Sequence, residues 1–132
     1  MTATDADAGD AEYIFRAQVR LSPSDPDLRV EPERIETTVY RAAVSPGEDG
    51  WLFFRDTLWR GEINDPAYLR ASLESALGVD IENIDFRELR TDRDYYEALK
   101  AEIGANLELF NADDTAEVQK KYLGSRIHVR DE

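Results

Sequence analysis

The residues best equipped for chemistry lie in one short stretch, "FFRDTLWRGEINDP", residues 53 to 66. Arg55, Asp56, Arg60 and Glu62 flank Trp59 there, and Trp51 stands just before it. An arginine can stack on an indole or hold a carboxylate through two parallel N–H bonds. Trp51, Arg55, Asp56, Trp59, Arg60 and Glu62 are therefore the candidate binding residues. Two chemistries follow. In the first, the aromatic and arginine surface binds a protein partner, since these residue types are enriched at interface hot spots. In the second, Arg55 and Arg60 hold an anionic substrate while Asp56 or Glu62 acts as base in a simple hydrolase. A third reading is purely structural, with the same groups forming an internal ion-pair and aromatic cluster.

No other catalytic constellation is recognisable. The chain has one histidine, His128, and no cysteine, which excludes disulfides, zinc–thiolate sites and thiol catalysis. No nucleophile elbow, phosphate-binding loop, dinucleotide fingerprint or His-Glu-x-x-His motif is present. Asp25-Pro-Asp27, Asp92-x-Asp94 and Asp113-Asp114 resemble hard-cation ligand pairs, but none continues into a calcium loop. Asp92 and the 113–114 pair have sufficient duty as helix caps. No cofactor and no catalytic residue is expected, and the protein reads as more a binding or accessory module than an enzyme.

Charge bounds the setting. There are 29 Asp plus Glu against 16 Lys plus Arg, only three of them lysine, for a net charge of −13. Such a surface suits molar salt, where the Debye length falls to roughly 3 Å and self-repulsion is screened. The acids are dispersed from end to end, so the expectation is a halophilic, archaeal cytoplasm, with K⁺ and hydrated salt ions at the acidic surface. The alternative is an acidic mesophilic protein that mimics nucleic acid or binds a basic partner. Nucleic-acid binding is disfavoured by the sign of the surface, despite the small basic run Arg87, Arg90 and Arg93. The longest run of large apolar residues, Trp51 to Phe54, is far short of a membrane span, and the acidic N-terminus is unlike a signal peptide.

The elements that must position these residues follow from periodicity. The 132 residues suit a single domain, and Leu, Ile, Val and Phe number 31, enough for a modest core. Residues 1–11 read as a disordered acidic tail and 12–130 as the domain. Alternation from Tyr13 to Leu21 predicts a half-buried strand, and three prolines make a loop of 22–32. "RIETTVYRAAV" (34–44) predicts a second strand and "WLFFRDTLWR" (51–60) a third, paired as a hairpin. Aromatics then fall on both faces of those strands, which places a functional patch on the open side of the sheet. Asn64 or Asp65 caps a helix with Pro66 at its first position and Gly78 at its stop. A fourth strand spans 83–90, a second helix starts at Thr91 or Asp92 and ends near Phe110, and a third is capped at Asp113 or Asp114 with Glu117. "RIHVR" closes as a last short strand. The β-β-β-α-β-α-α order predicts an α+β fold, a mostly antiparallel sheet with helices packed on one face.

"GWLFFRDTLWRGE" (50–62), "DFRELR" (85–90), "LELFNAD" (107–113) and "KYLGS" (121–125), set in an acidic, lysine-poor chain, resemble the LWR-salt family over about residues 12 to 130. The resemblance implies a haloarchaeal origin and one compact domain. It brings no activity and no catalytic residues, and its naming tripeptide draws attention to Trp59 and Arg60.

Overall fold

Tyr13, Phe15, Ala17 and Val19 alternate with Arg16, Gln18 and Arg20, and that period of two sets the frame of the molecule. In the computed structural model, which describes residues 9–130, these residues lie on β1 (Ala11–Arg20). The odd-numbered set is buried, Ile14 is buried as well, and the polar set is exposed. β1 is the centre of a four-stranded sheet, with antiparallel β2 (Arg34–Ala42) on one side and antiparallel β5 (Asp80–Asp92) on the other. β6 (Ile127–Arg130) adds to the far edge of β5 in parallel. The sheet is mostly antiparallel and the fold is α+β, as the order of elements implies.

β5 is longer than the 83–90 expected. Its buried residues are Ile81, Ile84, Phe86, Leu89 and Thr91, so their spacing runs three, two, three, two. Two register shifts against β1, between Ile14 and Phe15 and between Gln18 and Val19, explain the pattern. Each acts as a β-bulge that admits one extra residue and returns the apolar set to the same face.

The expected third strand is not one. Residues 53–57 form a short helix, α1 (Phe53–Thr57), followed by a two-residue strand β3 (Leu58–Trp59) that pairs with β4 (Glu62–Ile63). Trp51, Phe54 and Leu58 are buried at a spacing of three and four residues. That is helical periodicity, and it removes the puzzle of a strand with aromatics on both faces. The hairpin expected between the second and third strands is therefore absent, and among the described residues β2 pairs with β1 alone.

The helices start where their caps allow. Asp65 accepts from the Tyr68 N–H at the head of α2 (Pro66–Leu77), which stops at Gly78 with φ of 73°. Asp92 accepts from the Tyr95 N–H at the head of α3 (Arg93–Ala105). The chain then makes a single 3₁₀ turn over Leu107–Leu109 before Phe110, so α3 is shorter than expected. Asp114 accepts from the Glu117 N–H, and the Glu117 carboxylate accepts in return from the Asp113 N–H, closing a capping box on α4 (Thr115–Tyr122). One carboxylate of each acid pair that resembled a cation site is engaged in this way, since Asp25 accepts from the Asp27 N–H in its turn.

Residues 1–8 of the expected tail lie outside the described residues, and its last three belong to the fold. Ala11 opens β1, and Asp10 exchanges two hydrogen bonds of 2.9 Å with Asp92.

The core is the inner face of the sheet packed by Leu69 and Leu73 of α2, Tyr95, Leu99 and Ile103 of α3, and Val118 of α4. The outer face is an ionic surface, with Arg16–Glu36 at 3.3 Å and Arg34–Glu82 at 2.7 Å. It holds no aromatic patch of the kind expected there. Among the described residues no helix is long and apolar enough to cross a membrane.

Burial pushes the Tyr13 hydroxyl well above its ordinary value, helped by the neighbouring Tyr95 phenol. Burial raises Tyr95 too, and its hydroxyl donates to the Val44 carbonyl at 2.7 Å. A phenol whose folded pKa exceeds its unfolded value contributes stability that is whole below about pH 10 and lost as pH rises beyond it. We expect two of the six tyrosines to ionise only together with unfolding. Tyrosinate absorbance followed beside circular dichroism in an alkaline titration checks this. Six tyrosines ionising before the fold is lost would contradict it.

Candidate functional site

The hairpin that carries Trp59 is built by its turn. β3 and β4 pair Leu58 with Ile63 and Trp59 with Glu62, leaving the two-residue loop Arg60-Gly61. Both residues have positive φ, 54° at Arg60 and 84° at Gly61, the requirement of a type I′ turn. Asn or Gly is the usual first residue of such a turn, and an arginine there costs roughly 1 kcal/mol or more.

The strained turn is docked on a helix end. The Arg60 and Gly61 N–H groups donate to the carbonyls of Lys121 at 2.8 Å and Tyr122 at 2.9 Å. Those are carbonyls of the last turn of α4, which no helical N–H satisfies. The approach is close on both sides. A Cβ on Gly61 would lie 3.1 Å from the Leu123 carbonyl oxygen, and one on Gly124 would lie 3.1 Å from that of Arg60. Leu58 enters the core, and Trp59 meets Tyr122 edge to face with centroids 5.9 Å apart.

What the docking leaves outside is a hollow of about 640 Å³ lined by Trp59, Arg60, Glu117, Lys120, Lys121 and Ser125. Its walls are mainly apolar and its rim is cationic. Trp59 is 45% exposed, and the Arg60 guanidinium lies 5.7 Å from the centre of its ring. Lys121 is committed to the fold, donating to the carbonyls of Phe110 at 2.8 Å and Asn111 at 3.2 Å. No carboxylate among the described residues forms an ion pair with Arg60 or Lys120. Two cations of a strongly acidic chain thus remain open beside an exposed indole, and the carboxylate in the lining, Glu117, serves the capping box.

Residues 9–132 match the family model for LWR-salt proteins. The chain belongs to that family. No curated protein and no solved structure gives a match.

The LWR-salt tripeptide, Leu58 to Arg60, thus divides into a core residue, a half-exposed indole and an exposed cation on a strained turn. The six candidate residues are dispersed by the fold rather than gathered. Trp51 is buried against Phe54 and Phe110, with centroids 6.2 and 6.0 Å away. Arg55 pairs with Asp56 at 2.9 Å and donates to the Leu109 carbonyl at 3.3 Å. Asp56 lines a separate hollow with Arg41, Phe53 and Tyr68. Glu62 lines another with Asp85 and Arg126. Trp59 and Arg60 alone among the six share the cationic hollow.

Lys120 and Ser125 are the partners that sequence reasoning missed. The one signal was compositional: three lysines in the chain, two of them adjacent at 120 and 121. Among the described residues, no three His, Asp or Glu side chains converge to hold a metal ion.

Proposed function

We propose that this LWR-salt protein is a non-enzymatic binding module of a salt-rich cytoplasm. It takes an acidic protein segment in the hollow beside Trp59, with Arg60 and Lys120 holding carboxylates and the indole packing an apolar side chain. The observation that carries this reading is the pair of cations, without an ion-pair partner among the described residues, gathered around an exposed indole in a chain of net charge −13. A guanidinium on a left-handed turn supports it, because backbone strain persists where something beyond folding retains it. The hydrolase reading is the weaker one. It needs Asp56 or Glu62 as base between Arg55 and Arg60, whereas Asp56 is tied to Arg55 and Glu62 lines a different hollow.

The variant Arg60→Gly separates binding from folding. Glycine suits a φ of 54°, so relief of strain offsets the greater freedom of the unfolded chain and the melting temperature stays within a few degrees. Removing a charge-assisted hydrogen bond worth about 1.5–3 kcal/mol weakens binding roughly 10- to 100-fold. The probe is a short peptide of Asp and Glu around a central Phe, followed by Trp fluorescence in multimolar KCl. Equal affinity in the two proteins would remove Arg60 from the site.

A further inference from the structure

β2 is an open edge, and its backbone pattern fixes how it can be used. The Leu21 N–H donates to the Glu33 carbonyl and the Ala43 N–H to that of Ala11, both on the continuous register between β1 and β2. Hydrogen-bonded and non-hydrogen-bonded pairs alternate in an antiparallel ladder. The odd-numbered residues 35 to 41 therefore spend their N–H and C=O groups on β1. Arg34, Glu36, Thr38 and Tyr40 turn theirs outward, with no backbone partner among the described residues.

The strand's protection against pairing is confined to its charges, Arg34, Glu36 and Arg41, which are of mixed sign. Long edge strands are usually blunted with proline, lysine or a bulge, and β2 has none of the three over Arg34–Ala42. Large apolar side chains lie on it and just past its end instead, with Ile35, Tyr40 and Val44 all more than a third exposed. Tyr68 of α2, 73% exposed, lines a hollow together with Arg41 of β2. The strand carries Arg34 and Arg41 against Glu36, so it is one charge positive within a chain of net charge −13.

The sequence of the edge is complementary to itself about Thr37. An antiparallel pairing with a twofold axis there sets Ile35 opposite Val39, Arg34 opposite Tyr40 and Glu33 opposite Arg41 of the second copy. It also bonds the outward-facing Glu36 to the equally outward-facing Thr38. Apolar meets apolar, cation meets ring, and acid meets base on both sides of the axis. Neither Glu33 nor Arg41 forms an ion pair among the described residues. Moving the axis to Thr38 sets Ile35 against Arg41, which loses the match.

We propose that two copies of this chain join through β2 about Thr37, continuing the two four-stranded sheets into one. The helices of both copies then lie on the same side, and the hollows beside Arg41 and Tyr68 face each other across the axis. An acidic chain meets its copy here along a strand that is not acidic, which keeps electrostatic repulsion at the contact small.

The absence of cysteine makes the test direct. Residues facing each other on a non-hydrogen-bonded antiparallel pair have Cα atoms roughly 4.5 Å apart, within the range of about 4.4–6.8 Å that a disulfide spans. Thr37→Cys should cross-link most of the chain under mild oxidation in multimolar KCl. Thr38→Cys and Val39→Cys, off the axis, should give at most about a tenth as much. Thr38→Pro removes an outward N–H and no bond within the sheet, so it should convert the dimer seen by sedimentation to monomer with circular dichroism unchanged. It should also abolish cross-linking by Thr37→Cys. A wild-type protein monomeric at all concentrations would overturn the proposal. So would a dimer that Thr38→Pro leaves intact, or one in which Thr37→Cys does not cross-link.

Discussion

Replacing Phe54 with alanine should cost about 3–5 kcal/mol of stability, the range for deleting a fully buried aromatic ring. Phe54 is 0% exposed and sits at the centre of an aromatic cluster. It stacks on Phe110 at 5.7 Å and 20°, and meets Tyr122 edge to face at 6.0 Å. Removing the ring leaves a cavity bounded by Trp51, Phe110 and Tyr122, side chains held by three different parts of the chain, so the site cannot close over it cheaply. Its neighbour Phe53 is only partly buried, packed on Tyr13 at 4.7 Å with Arg41 above it. Phe53→Ala should therefore cost less than half as much. Thermal unfolding of both variants in multimolar KCl reads the difference. A loss below about 1 kcal/mol for Phe54→Ala, well under what a buried phenylalanine supplies, would contradict the packing of α1.

Lowering KCl from molar to about 0.1 M should destabilise the fold by on the order of 2 kcal/mol. The magnitude follows from the net charge of −13. Its ~80 charge pairs at a mean separation of ~20 Å, a distance set by a radius of gyration of ~14 Å, each repel by ~0.2 kcal/mol in water. Screening at ~0.1 M, with a Debye length of ~10 Å, leaves ~2 kcal/mol of the total, and screening at ~1 M leaves almost none. A change of that size moves the melting temperature by roughly 5–10 °C for a domain of this length. The exposed ion pairs on the outer face of the sheet act in the opposite sense, gaining as salt falls, but such pairs contribute little each. A melting temperature flat or rising as KCl is lowered would contradict the proposed setting in molar salt.

The helices were legible because their signals are local. Asp65, Pro66 and Gly78 bracket α2, and Asp92 and Asp114 cap the next two helices, each through its own side chain within three residues. β1 was legible because it is flanked by a strand on both sides and packs one face on the core, so that from Phe15 to Arg20 buried and exposed residues alternate, with Ile14 the one buried exception on the outer register. Two features were obscured by non-local causes. The bulges of β5 exist only relative to β1, and they turn an alternating strand into one whose apolar residues are spaced by three and two. The stretch from Trp51 to Arg60 contains five aromatic or leucine residues before Trp59, so it satisfies a period of two and a helical period about equally well. Only the burial of Trp51, Phe54 and Leu58, with Phe53 and Trp59 partly outside, decides between them.

The site was half legible for the same reason. Trp59 and Arg60 are conspicuous as a dipeptide, and they do share one hollow. Lys120 and Ser125 reach it because the Arg60-Gly61 turn docks on the end of α4, a contact made by backbone N–H groups and permitted by Gly61 and Gly124. Backbone groups carry no residue-specific signal. Residues 58–62 and 121–125 are the two halves of that contact.

The most direct measurement is an amide-shift map of the ¹⁵N-labelled chain in multimolar KCl, titrated with the Asp/Glu/Phe peptide and, separately, with the same peptide bearing Lys in place of the acids. Shifts from the acidic peptide confined to Trp59, Arg60, Lys120 and Ser125, with the Trp59 indole among the largest and no response to the lysine peptide, are the predicted result. Shifts centred on Arg55 and Asp56 or on the outer face of the sheet, or equal responses to both peptides, would contradict a site for acidic segments at the Trp59 hairpin.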